Sequence, residues 1–130
     1  MLEDNSSWIE VGVHGLTHSF PPEGLRIREV QDRIFKKAYD ALHIFKPIAF
    51  RPPMFRFSEE TFMSLRDYTP LKLFFGQNFV LKLREGFKTV SPHMVNSHTN
   101  SHCSDSISKI ADQILELKGN HFALARNLCS

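Results

Sequence analysis

The chain has 130 residues and a mass of 15.0 kDa, the size of one domain with one hydrophobic core. Hydrophobic residues make up 42% and charged residues 23%, a balance that excludes wholesale disorder. Lys plus Arg number 16 against 14 Asp plus Glu, and a net charge of +2 supports neither a nucleic-acid-binding tail nor a polybasic membrane anchor.

Residues 1–7 are acidic and polar, the opposite of a signal peptide's basic start and apolar centre. No apolar run approaches the ~20 residues of a transmembrane helix. These features predict a cytoplasmic chain with no membrane or nucleic-acid partner. Trp8 to Val13 has β-branched residues in alternation and reads as a strand running into His14. Residues 19–24, with Pro21, Pro22 and Gly24, form a loop.

Arg26 to Phe45 is the clearest helix. Ile27, Val30, Ile34, Ala38, Ala41 and Phe45 recur at spacings of three and four. Ile48 to Phe50 reads as a buried strand that ends at Arg51-Pro52-Pro53. Ser58 is placed as the N-cap of a helix to about Arg66. Leu71 to Phe75 reads as a strand, and Asn78 to Leu83 fits strand or helix. Lys88 to Ser97 reads as a strand with His98 near its end. A last helix begins at Ser104 or Asp105 and stops at Gly119, where glycine suits the C′ position. His121 to Leu124 closes the chain as a short strand.

Strands alternating with helices predict an α/β domain with mainly parallel strands, whose ligands gather at strand carboxyl ends. His14, Arg51 and His98 all fall at such ends. Cys103 and Cys129 are too few for a disulfide framework, and two free thiols are expected.

The chain holds seven His, four of them in the pairs His14/His18 and His98/His102. His14-Gly15-Leu16-Thr17-His18 can bring two imidazoles to one metal, on a helix or across a tight turn. It lacks the Glu of a zinc-protease helix, and two unrelated histidines are an equally weighted reading. Paired prolines hold Arg51 extended, a geometry suited to an anionic ligand. A solvated arginine at a strand exit is the plainer alternative. His98 can act as a general acid or base; an exposed polar loop is the alternative there.

Glu10-Val11-Gly12-Val13-His14-Gly15-Leu16-Thr17-His18 resembles the second motif of the polysaccharide deacetylases, the NodB-homology group. Phe50-Arg51-Pro52-Pro53 resembles their third motif, and His98 resembles the histidine of the last. The closing helix with His121-Phe122-Ala123-Leu124 resembles the family's final helix and strand. The resemblance implies a single domain over residues 1–130, built as a partial or distorted (β/α) barrel.

The resemblance further implies a divalent metal, zinc first, held by His14 and His18. It makes Arg51 and His98 catalytic, Arg51 by orienting an Asp and His98 by protonating the leaving amine. It places Pro52 and Pro53 in the substrate-binding surface and makes the substrate an N-acetylated carbohydrate.

Three departures stand beside it. No Asp-Asp motif, the family's source of catalytic base and third ligand, precedes His14; Asp4 lies too close to it to head a separate strand. Met54 stands where an aromatic is usual, with Phe55 adjacent, and no Asp- and Trp-containing fourth motif is recognisable.

The chain therefore reads as truncated at its N-terminus relative to the family: a fragment, a mis-started frame or a reduced homologue. A missing first strand would leave a sheet edge open to a second copy of the chain. The expected function is a metal-dependent hydrolase of C–N amide bonds, of low activity in this form. The alternatives are a non-catalytic domain of the same fold that binds carbohydrate or a partner chain, and an unrelated α/β domain.

Overall fold

A computed structural model describes residues 10–92, 112, 115–116 and 124–128. The end of the expected strand at residues 93–97, the readings at His98, His102, Cys103, Cys129 and His121–Phe122–Ala123, and most of the final helix, lie outside the described residues.

The fold is α/β, with two helices on a four-stranded mixed sheet. Helix α1 spans Arg28–Leu42 and α2 spans Glu59–Tyr68. The strands are β1 (Ala49–Phe50), β2 (Leu73–Phe75), β3 (Val80–Lys82) and β4 (Lys88–Val90), in the order β1-β2-β3-β4. Val13 extends the sheet beyond β1 through a parallel bridge to Phe50. Its amide donates to Ala49 O at 2.9 Å, and its carbonyl accepts from the Arg51 amide at 2.9 Å.

The expected parallel order holds for Val13, β1 and β2, each joined to the next through a helix. It fails at β3 and β4, which pair antiparallel. The reason is connection length: residues 76–79 and 83–87 form short turns, and a parallel crossover needs a dozen residues or more. The described strands form an open sheet. Among the described residues no helix is long and apolar enough to cross a membrane.

Register places Val13, Phe50, Phe74 and Leu81 in one cross-strand row, all buried. Phe35 of α1 meets Phe50 edge-on at 5.0 Å, and Phe62 of α2 meets Phe74 at 4.9 Å. Both helices therefore cover the same face. Seven of the twelve phenylalanines join this core: Phe35, Phe50 and Phe74 buried, with Phe57, Phe62, Phe79 and Phe87 packed around them. Each buried Phe is worth about 1.5–3 kcal/mol, so this cluster is the main driving force for the fold.

The buried face of α1 matches the expected stripe only in part: Ala38 and Ile34 face the core as the spacing predicts. Gln31, Phe35 and Ala38 are buried, while Ile27 is 67% exposed. Phe35 carries more apolar area than any aliphatic position on the expected stripe, which turns the helix toward it. Gln31 tolerates burial because its amide is partnered, donating to Arg26 O at 2.6 Å and accepting from the Thr61 hydroxyl at 2.8 Å. The helix also ends earlier than expected, tightening into a 3-10 turn at His43–Phe45 and leaving through Lys46 at φ 50.

Helix α2 begins after Ser58, its N-cap as the sequence predicts. There the Ser58 amide donates back to Thr61 Oγ1 at 3.0 Å. It runs past Arg66 to Tyr68. Arg84, from the β3–β4 turn, donates to the carbonyls of Arg66 (2.9 Å), Thr69 and Leu71 (3.2 Å) and so satisfies its C-terminal end.

Candidate functional site

Val13 and β1 run parallel, so the residues that follow them emerge at the same carboxyl end of the sheet. Those residues are His14 and Arg51. The structure thus brings the His14–His18 segment and Arg51-Pro52-Pro53 together. His14 Nδ1 lies 2.8 Å from the Arg51 carbonyl oxygen. As a donor to that oxygen, Nδ1 carries the proton, and Nε2 is the nitrogen that would ligate a metal.

His14 and His18 are close: their ring centroids are 5.3 Å apart, with planes at 61°. Both side chains are exposed. They converge across a tight turn rather than along a helix. Gly15 at φ 83 and His18 at φ 54 make the turn. The left-handed backbone at His18 costs about 1–2 kcal/mol, so something must hold it.

Glu23 supplies the hold, and sequence reading missed it. Its side chain is fully buried. Oε1 accepts from the amides of Thr17 (2.7 Å), His18 (2.9 Å) and Leu16 (3.1 Å), and from the Thr17 hydroxyl (3.2 Å). Oε2 accepts from the Leu16 amide at 2.9 Å. Three successive N–H groups wrapped on one anion form a nest. Burial pushes the Glu23 carboxyl up, but the bonds from Thr17, Leu16 and His18 outweigh it and hold the group below its ordinary value. Glu23 is therefore ionised and acts as a structural anion. Glutamates are mostly exposed, so only the loop's glycine and the fixed Pro21-Pro22 turn hinted at this contact.

Arg51 stands half-buried with its guanidinium over the Phe55 ring, 4.4 Å from the centroid. Burial lowers its pKa, yet an arginine stays charged. Its Nη2 is buried with no hydrogen-bond partner among the described residues. Such an unmet donor costs about 1–3 kcal/mol and marks a place where an acceptor fits. Pro52 and Pro53 are buried rather than displayed. Pro53 packs against Gly15: a Cβ added there would lie 2.8 Å from Pro53 Cγ and 2.7 Å from Glu23 Oε2. Met54, at φ 57 and 54% exposed, is the residue this turn presents to solvent.

Two imidazoles with one oriented ring fit part of a metal shell. Catalytic zinc usually takes three protein ligands, and among the described residues no group of three His, Cys, Asp or Glu could hold an ion. No family model, curated protein or solved structure matches the chain.

Proposed function

We propose that the chain is a deacetylase-like, metal-dependent hydrolase of C–N amide bonds in N-acetylated carbohydrates, built on a polysaccharide-deacetylase-type fold. The observation that carries this reading is the pairing of His14 and His18 at 5.3 Å beside Arg51, at the carboxyl ends of two parallel segments. In this reading His14 and His18 hold a divalent ion, zinc first. The ion supplies a Lewis acid and an activated water.

Arg51 offers its unpartnered Nη2 to the carboxylate that takes the water's proton. His98 gives a proton to the leaving amine, so that the acetamide C–N bond breaks to acetate and free amine. The turn formed by Pro52 and Pro53 shapes the wall beside the substrate and presents Met54. Arg51's open donor and the two-histidine set both call for a carboxylate that the described residues do not supply. The same observation favours a second reading, a non-catalytic domain that keeps the fold and binds carbohydrate or a partner chain.

The test is acetate release from N-acetylated sugar oligomers with added Zn²⁺ or Co²⁺. These 130 residues are expected to show little turnover, because loss of a general base costs about 10²–10⁴ in rate. A version extended with an Asp-Asp segment is expected to recover it, and His98→Ala in that version to lose it again. Strong metal-dependent turnover by the short chain would overturn the missing-base argument. No recovery in the extended chain would favour the binding domain.

A further inference from the structure

We propose that Glu23 is the positioning residue of the two-histidine site. Its buried carboxylate gathers the Leu16, Thr17 and His18 amides and thereby sets where the His18 imidazole stands relative to His14. The metal-binding half of this inference rests on the reading of His14 and His18 as ligands.

Glu23 is well placed to carry such a role because it is itself fixed. It lies in a single 3-10 turn, Glu23–Leu25, between Pro22 and Gly24, all three of residues 22–24 being buried. Gly24 seats directly on the backbone that leads into α2. A Cβ there would overlap the Arg56 carbonyl and lie 2.9 Å from Phe57 Cα, so no side chain fits. The Thr61 hydroxyl stands 3.1 Å from the Gly24 carbonyl oxygen and ties the turn to the first turn of α2.

Gln31 joins α1 to the same point through Thr61 and Arg26. A continuous chain of contacts therefore runs from both helices through Gly24 to Glu23, and from its carboxylate into the loop. On the far side, Gly15 is pressed between Glu23 Oε2 and Pro53, next to the motif that holds Arg51. The loop is clamped between two rigid turns, and the carboxylate is the clamp's only charged contact with the His18 backbone among the described residues.

The two oxygens do different work. Oε1 takes the Thr17 and His18 amides, whereas the shorter bond of the Leu16 amide goes to Oε2. Glu23→Gln can keep its amide oxygen at the Oε1 place and put an NH₂ against the Leu16 N–H, two donors face to face. Glu23→Ala removes every contact.

The experiment compares the native chain with these two variants. Metal-free samples are followed by amide hydrogen exchange at Leu16, Thr17 and His18, with circular dichroism to verify folding. Co²⁺ binding is followed by its visible absorption. In Glu23→Ala all three amides should lose protection and Co²⁺ affinity should fall about 10- to 100-fold, the usual cost of removing a group that orients a ligand. In Glu23→Gln protection should fall first at Leu16, with an intermediate loss of affinity.

A folded variant with native exchange at these amides would overturn the proposal. So would altered exchange with native Co²⁺ affinity, which would make Glu23 merely structural. If Glu23→Ala does not fold, Glu23→Gln decides by the same criteria. If the native chain takes up no Co²⁺, the metal reading fails, and amide exchange alone judges whether Glu23 orders the loop.

Discussion

His14 Nδ1 and the Arg51 carbonyl oxygen are 2.8 Å apart, so the first residue after one parallel segment is fixed by the first residue after its neighbour. This bond makes two distant sequence motifs into one site. It also gives the His14 ring a defined tautomer and aim, as oriented metal ligands have.

Gly15 is where this site should be least tolerant. At φ 83 a side chain is strained by about 1–2 kcal/mol, and an added Cβ would also crowd Glu23 Oε2 and Pro53 Cγ. Gly15→Ala is expected to lower the unfolding free energy by at least that strain, read as a lower urea midpoint, and to weaken Co²⁺ binding. An unchanged midpoint would show that the turn is not closed as described.

Glu23 also governs acid stability of the metal-free chain. Its folded-state pKa lies below its ordinary value of 4.5. The contribution is therefore fully present above the unfolded value and is lost as pH falls through the depressed folded value. In the presence of a chelator, the native chain should lose stability in acid more steeply than Glu23→Gln. Parallel pH curves for the two proteins would contradict the ionised state of this carboxylate.

Arg51 is expected to separate function from stability. Its Nη2 has no acceptor among the described residues, so replacing the charge with Met relieves an unmet buried donor while retaining apolar contact with Phe55. Arg51→Met should leave folding stability unchanged or raise it by up to about 3 kcal/mol. It should abolish any turnover of the chain extended by an Asp-Asp segment. A loss of several kcal/mol would mean that Arg51 has a structural partner after all.

Buried Gln31 and Thr61, with half-buried Ser58 beside them, should behave as a unit. Thr61 accepts from the Ser58 amide and meets both Gln31 and Gly24. Thr61→Val and Gln31→Leu should each destabilise by about 1–3 kcal/mol by leaving a buried partner unmet. The double variant should cost clearly less than their sum. Strict additivity would show that Thr61 and Gln31 are independent.

Much of this was legible in the sequence, for identifiable reasons. Ser58 is a cap residue before acidic and polar positions, and the helix starts there. His14 and Arg51 follow short apolar segments, which is enough to place both at strand ends. The face of α1 was legible only in part: the stripe includes buried Ala38 and core-packed Ile34, but it also favoured the exposed Ile27, and Phe35 with a partnered Gln31 fills the rest of the buried side. Nor did the sequence separate strand from helix at Asn78 to Leu83. Only pairing with β2 and β4 settles Val80–Lys82 as a strand. Glu23 was invisible because nothing in Pro-Pro-Glu-Gly distinguishes a solvated glutamate from one buried under three amides.

Whether His14 and His18 form one metal site is decided by equilibrium Co²⁺ titration followed by visible absorption. The native chain should take up one ion with nitrogen-ligand absorption bands. His14→Ala and His18→Ala, each shown to be folded, should lose that binding. Equal metal uptake by the native chain and both variants, or none by any of them, would contradict a shared site.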